Sequence, residues 1–382
     1  MSNTAKIFTQ ITNVDYLQKV RTSKYKELNL CHLAEQLKTG HFKFSSLQMA
    51  KIPKANGKYR IICMPCDKDK FVQRILLKNL SSKDADVCRV HSDISFSGPN
   101  RGVAKAIEKA LEYMKHYPYY LKVDIVSFFD EIDRELLIKK INKLQLVQPL
   151  KKLLIQVVKC ELKFSSSEDR KLAEREGFCR GKGLRQGMPL SPYLADLALK
   201  DFDKKLCRLR RIKVIRYCDD MLIFGKTEAE LKKIITKIET WLCCENLRIH
   251  TTGEKQPIIS KQSVPTKFLG YELKRGKAYI SDDTKKEIKY RIRGFVEWRK
   301  QKNKHGLINL YDFVKKIGEV KRGYLNAYSM ASNKTHLKEM MDKNIRMVFA
   351  AVLEDVIGKE AVELILQDKD KMLFLGLEGL VV

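Results

Sequence analysis

The chain has 382 residues, is 44% hydrophobic, and carries 75 Lys and Arg against 46 Asp and Glu, for a formal net charge of +29. A chain this long and this apolar can bury one large core or two to three smaller ones without cross-links. The charge far exceeds what solubility needs and points to a polyanionic partner, nucleic acid before membrane.

No apolar run reaches the roughly 18 residues of a membrane span, and the N-terminus lacks the apolar stretch of a secretory signal, so a cytoplasmic protein with no membrane partner is expected. Ten cysteines include one CxxC (Cys63, Cys66) and one adjacent pair (Cys243, Cys244). Nothing completes a zinc site, and they read as reduced, mostly buried thiols.

Residues up to about 50 carry helical periodicity, as in Tyr16–Val20 and Leu30–Leu37, and read as an N-terminal helical extension over 1–45. From Phe44 to Met64, short apolar and basic strands flank Asn56-Gly57, a hairpin signal, and a helix follows from Asp67 to Asn79. Tyr120–Ile125 and Val214–Cys218 are strand-like, with helices between them, which predicts an α+β fold. From about Thr284 the chain reads as nearly all helix. After residue 349 the charge reverses: Glu354, Asp355, Glu360, Glu363, Asp368, Asp370 and Glu378 outnumber the lysines, and Met372–Leu377 is apolar. This tail, 349–382, is a poor nucleic-acid binder.

Asp124 closes an apolar strand, where a charge is costly unless a metal or partner compensates it. Asp219 and Asp220 lie between two apolar runs in Ile215–Phe224, as at the tip of a hairpin, and adjacent carboxylates repel unless cations sit on them. Nucleotidyl transfer needs such equipment: one metal acidifies a 3′-hydroxyl and a second steadies the triphosphate. Magnesium prefers oxygen and keeps waters, so two or three carboxylates plus substrate phosphates suffice. Asp124, Asp219 and Asp220 are therefore the candidate catalytic residues, holding two Mg2+ ions with Mn2+ as an alternative.

The stretch Asp124–Asp130, the box Tyr217-Cys218-Asp219-Asp220, and the run Gly183–Leu197 with its Gln186-Gly187 and Ser191-Pro192 together resemble the reverse transcriptases, in particular the bacterial branch that includes group II intron proteins. The resemblance covers roughly residues 50–330. It implies a right-hand polymerase, with fingers and palm over 46–282 (an antiparallel sheet packed by helices) and a helical thumb over 283–348, making DNA on RNA. It also implies residue roles. Ile125 joins the three aspartates at the metals. Lys54, Lys58 and Arg60 on the hairpin clamp the triphosphate, Arg as a planar fork and Lys as a point charge. Gln186 and Gly187 face the nascent base pair, Gly187 by letting backbone approach closely. Ser191 is expected to cap the next helix, with Pro192 in its first turn. Lys255, after Asn246–His250, protonates the leaving pyrophosphate. Arg101, within Ser95–Gly102, touches template, and Phe268, Leu269, Gly270 and Tyr271 form a primer grip.

Phe129 stands where the family carries an aromatic ring under the incoming sugar, which would clash with a 2′-hydroxyl. Strand alternation would leave Phe128 for the core and Phe129 for the gate. The basic helix Lys286–Lys304, with Phe295 and Trp298 interleaved, is suited to a duplex backbone, and Val320–Tyr328 resembles the thumb segment of group II intron proteins. The remainder after the thumb is short for a DNA-binding and endonuclease module, and the segment before the first catalytic motif departs from the retron pattern. These features fit a stand-alone bacterial enzyme of anti-phage defence, copying a dedicated structured non-coding RNA with dNTPs and leaving a homo-oligomer open. The alternatives are a maturase-like RNA-binding protein, a mobile-element reverse transcriptase, and an RNA-synthesising polymerase, which Phe129 argues against.

Overall fold

The computed structural model describes residues 3–53, 57–81, 92–98, 101–253, 256–303 and 310–358. The chain divides into two compact units, Met1–Gly102 with Pro118–Ser260, and Val103–Tyr117 with Lys261–Val382. Helices and strands are numbered in chain order.

The first unit begins with three helices, α1 (Asn3–Ile11), α2 (Val14–Val20) and α3 (Leu30–Thr39). Asn13 and Asn29 cap the latter two by accepting the N–H groups of Tyr16 and His32. Their apolar faces, among them Ile11, Leu17, Leu33 and Leu37, enter the same core as Leu76 of α4 (Asp67–Leu80). Helices α1–α3 thus share the core of the first unit. The expected hairpin is present as β1 (Leu47–Pro53) against β2 (Tyr59–Met64), in register from Gln48↔Met64 to Pro53↔Tyr59.

The central sheet has the order β5-β6-β3-β7, with β3 (Tyr119–Asp124), β5 (Lys213–Tyr217), β6 (Asp220–Gly225) and β7 (Ile258–Lys261). Met221, Leu222, Ile223 and Phe224 are all fully buried, so β6 is covered on both faces and reads as an unbroken apolar run. Between β3 and β5 lie α6 (Phe128–Glu131), α7 (Arg134–Lys143), α8 (Gln148–Lys159), the short β4 (Leu162–Lys163) parallel to β1, α9 (Ser167–Arg175), α10 (Ser191–Ala198) and α11 (Lys200–Cys207). After β6, α12 (Glu228–Cys243) starts with a reciprocal capping box between Thr227 and Glu230.

The second unit holds α5 (Val103–Met114), a meander ordered β10-β9-β8 from β8 (Thr266–Phe268), β9 (Tyr271–Lys274) and β10 (Lys277–Tyr279), and the helices α13 (Asp282–Arg293), α14 (Phe295–Asn303), α15 (Leu310–Ala327) and α16 (Lys334–Ile357). Phe313 is its aromatic centre, with Phe295 and Phe349 rings 6.5 and 5.7 Å away. The fold class is α+β with antiparallel sheets, as the sequence indicates. Residues 103–117 belong with the C-terminal unit, the boundary between the units falls at 260/261, and α16 runs on to Ile357, with Phe349, Val352 and Leu353 buried. Residues 359–382, most of the acidic and apolar tail, lie outside the described residues. Among the described residues no helix is long and apolar enough to cross a membrane.

Candidate active site

Strand register builds the site. In the β3–β6 ladder Asp124 stands directly opposite Asp220, and β5 pairs with β6 up to Tyr217↔Asp220, leaving Cys218 and Asp219 as a two-residue turn. Cys218 sits at φ +54°, a left-handed conformation that costs a non-glycine residue roughly 1–2 kcal/mol. The turn is tied down from outside: the Ile125 N–H donates to the Asp219 carbonyl (3.4 Å), Val126 N–H to the Arg248 carbonyl (2.9 Å) and His250 N–H to the Asp124 carbonyl (3.4 Å). Ile125 also forms an isolated bridge with Ile249. The three segments carrying Asp124, Asp219-Asp220 and Asn246–His250 therefore meet.

Two basic side chains stand beside the aspartates: Lys122, which the sequence did not single out, and His250, which closes the segment Asn246–His250. Lys122 Nζ is 3.8 Å from Asp220 Oδ1, and His250 Nε2 is 4.0 Å from Asp124 Oδ1. Lys122 was findable, since it lies two residues before Asp124 on the same face of β3. Among the described residues no three acidic, histidine or cysteine side chains are gathered closely enough to hold an ion as they stand. Mg2+ is commonly bound by one or two carboxylates plus substrate phosphates and waters. The all-oxygen donor set of Asp124, Asp219 and Asp220 fits it.

Behind the turn lies a buried ionic cluster. Arg216 is fully buried and pairs with Asp196 (2.9 Å) and, through two nitrogens, with Asp203 (Nε to Oδ1, 2.7 Å), both carboxylates being equally buried. Its Nη1 also donates to the carbonyl of Cys218 (3.0 Å) in the catalytic turn. Ser95 and Ser97 donate to Asp196 at 3.0 Å, and Ser92 donates to Asp203 at 2.6 Å. Burial alone would lower the Arg216 pKa, but Asp203 and then Asp196 hold it above the ordinary value. Burial likewise pushes the Cys218 thiol up to about 12.

The remaining expected site residues fall as follows. Lys58 and Arg60 are exposed on the β1–β2 hairpin, while Lys54 and Lys255 lie outside the described residues. Gln186 accepts the Cys63 N–H (2.7 Å) on its carbonyl, and Gly187, at φ +105°, leaves no room for a side chain: a Cβ would stand 2.7 Å from Ile62 Cγ2 and 2.9 Å from the Cys63 oxygen. The glycine is first of all a requirement of packing against β2. Ser191 does not cap α10. It is the first helical residue, Leu190 precedes it as cap, and its hydroxyl donates to the Arg185 carbonyl at 2.7 Å.

Phe128 and Phe129 are not on a strand either. Ser127, at φ +43°, turns the chain into the one-turn helix α6, so Phe128 is buried and Phe129 half-buried by helical rotation, their rings 5.3 Å apart. Arg101 directs Nη1 at the carbonyls of Ser92 (3.0 Å), Asp93 (2.9 Å) and Ser95, organising its own loop. In the second unit, Leu269 (φ +51°) and Gly270 (φ +82°) form the turn between β8 and β9, with positive φ at both positions as in a type I′ hairpin. Tyr271 Oη donates to the Ala327 carbonyl (2.7 Å), tying Phe268–Tyr271 to the end of α15. The thiols were expected mostly buried. Of the free cysteines described, only Cys63 and Cys160 are buried, Cys218 is intermediate, and the others are exposed on helix faces and loops.

The sheet, its two-residue carboxylate turn and the glycine loop packed on β2 all lie within one stretch of the sequence. Residues 52–273, more than half of the chain, match the family described as reverse transcriptase (RNA-dependent DNA polymerase), and the chain belongs to that family. Relatives include Retron Ec83 reverse transcriptase of Escherichia coli, 27% identical over 47% of this chain and 53% of that protein. The putative COX1/OXI3 intron 1 protein of Saccharomyces cerevisiae is 23% identical over 80% of this chain and 46% of its own length. The chain spans about half the length of these curated relatives. Departure from the retron pattern ahead of the first catalytic motif therefore does not keep a retron enzyme out of the matches. Among solved structures, telomerase from Candida albicans in complex with a TWJ fragment of telomeric RNA aligns at TM-score 0.44 and 13% identity, over 85% of this chain and 65% of that one.

Proposed function

We propose that this chain is an RNA-directed DNA polymerase whose Asp124, Asp219 and Asp220 hold two magnesium ions, manganese serving as an alternative. The observation that carries the reading is the register setting Asp124 against Asp220 with Asp219 in the adjoining turn, inside the stretch that matches the reverse transcriptase family. When bound, the ions supply acidification of the primer 3′-hydroxyl and neutralisation of the triphosphate charge. The chain's own residues do the rest. The β3–β6 ladder fixes the carboxylate spacing, and the backbone of Ile125, beside the metals, holds the Asp219 peptide. Lys54, Lys58 and Arg60 clamp the triphosphate, Gln186 and Gly187 border the nascent pair, and Phe129 excludes a 2′-hydroxyl. Arg101 and the hairpin Phe268–Tyr271 guide template and primer, and Lys255 hands a proton to the departing pyrophosphate.

For the biology, the template is a dedicated structured non-coding RNA, copied in the cytoplasm in anti-phage defence. Support comes from the resemblance to stand-alone bacterial enzymes and from the retron relative. The test is to purify the protein with the RNA it carries and add Mg2+ and labelled dNTPs. A DNA product whose sequence maps to one abundant non-coding RNA is expected. DNA copied indiscriminately from messenger RNA would overturn the template assignment, and RNA retained without any DNA product would favour the maturase-like reading.

A further inference from the structure

Away from the aspartates, the first unit contains a cleft of about 660 Å3 bounded by residues 43–46, one face of α8, residues 159–161 and Arg180. Lys43, Lys152, Lys159 and Arg180 line it, and all four are exposed. No carboxylate pairs with any of them among the described residues. The acid in the lining, Glu161, does not cancel their charge, because its oxygens are taken by Arg134 (2.7 Å), Arg185 (2.7 Å) and the Gly181 N–H (2.8 Å).

The cleft is also built. Lys152 and Lys159 lie seven residues apart on one face of α8, about 10.5 Å along its axis. Between them Gln156 accepts the Phe44 N–H and donates to the Phe42 carbonyl, each at 3.3 Å, which pins the opposite wall to the helix. Phe44, half-buried, is among the lining residues, and its ring is braced edge-on by Phe42, with centroids 4.9 Å apart. Cations tracking along a groove beside an aromatic ring are the equipment for a single-stranded nucleic acid: phosphates meet Lys and Arg, and a base stacks on the ring.

We propose that this cleft binds single-stranded RNA, phosphates on Lys43, Lys152, Lys159 and Arg180 and a base on Phe44, as an anchoring site separate from the paired carboxylates. The choice of RNA rests on the reading of the chain as an RNA-directed polymerase. The site holds the RNA being copied while the polymerase centre advances along it.

The test uses the full chain without metal or dNTPs, so that binding is read independently of synthesis. Anisotropy of an unstructured labelled RNA oligonucleotide is followed across a salt series for Lys43→Gln/Lys152→Gln/Lys159→Gln and for a matched-charge control just before α12 and along it, Lys226→Gln/Lys233→Gln/Lys237→Gln. The cleft variant should bind about tenfold more weakly, with a log–log salt slope shallower by roughly two, near 0.7 per lost phosphate contact. The control should change far less, and Phe44→Ala should weaken binding several-fold without changing the slope. Equal losses in the two lysine sets, no loss in the cleft set, or a loss seen only with DNA of the same sequence would overturn the proposal. Single Lys152→Gln carries the same comparison if the triple variant loses its fold. Cleft-dependent RNA binding in a protein that makes no DNA would sink the polymerase reading alone. DNA synthesis with cleft-independent binding would sink this inference alone.

Discussion

Arg216→Met should be among the most damaging single substitutions in the first unit, at a residue that contacts no substrate in this account. It removes the one cation shared by Asp196 and Asp203, all three side chains being fully buried. Breaking a single buried pair by deleting one partner costs about 3–5 kcal/mol, because a charge is left without compensation. Here two carboxylates are left, but each keeps serine donors, Ser95 and Ser97 on Asp196 and Ser92 on Asp203. The expected loss is therefore about 5 kcal/mol, a large share of a typical domain's 5–15 kcal/mol. Asp203→Asn keeps the shape and leaves Arg216 its pair with Asp196, and should cost roughly 1–3 kcal/mol. Arg216→Lys should fall between them, because a point charge cannot reach both carboxylates and the Cys218 carbonyl. Hydrogen exchange of the β5 and β6 amides in a urea series reports on this unit alone. A loss below about 1 kcal/mol for Arg216→Met would show that the carboxylates do not depend on the guanidinium and would refute the reasoning.

Gly187→Ala should destabilise by about 2–4 kcal/mol, combining overpacking against Ile62 and Cys63 with a left-handed backbone, read as the shift of the urea midpoint. An unchanged midpoint would mean the loop is free to move off β2. At Glu161 burial would raise the pKa, but the Gly181 N–H, then Arg185 and Arg134, hold it below the ordinary 4.5. A depressed carboxylate contributes stability that is present above the unfolded value and lost as pH falls through the folded one. The melting temperature of Glu161→Gln should thus fall less steeply than wild type below about pH 4.5, and parallel curves would count against this network. Phe129→Ala should raise incorporation of ribonucleotides relative to deoxyribonucleotides in competition assays, whereas unchanged sugar selectivity would remove the ring from its gating role.

What was legible in the sequence followed from charge interrupting apolar runs. Asp124 and the pair Asp219-Asp220 broke two strands and marked a hairpin tip, whereas the register that sets Asp124 against Asp220 is visible only in the folded sheet. Arg216 breaks β5 by the same logic, yet its partners Asp196 and Asp203 sit on helices, where an isolated Asp reads as ordinary. Periodicity exposed the apolar faces of α1–α3 but not the Leu76 side of the core that covers them. The placing of Phe128 and Phe129 was anticipated on the wrong geometry, because nothing local announces that Ser127 adopts φ +43° and starts a helical turn. The allotment of residues 103–117 to the C-terminal unit depends on long-range assembly, to which local patterning is blind.

The most direct measurement is primer extension on a defined RNA template with a DNA primer, Mg2+ and dNTPs, comparing wild type with Asp124→Asn and Asp220→Asn under single-turnover conditions. The amide substitutions keep side-chain shape at the opposed positions while removing the charge. Extension by wild type, falling by about a thousandfold or more in each variant with primer–template binding retained, is the expected result, on the scale of lost electrostatic stabilisation in a water-poor site. Extension at wild-type rate in either variant would contradict the assignment of the catalytic centre.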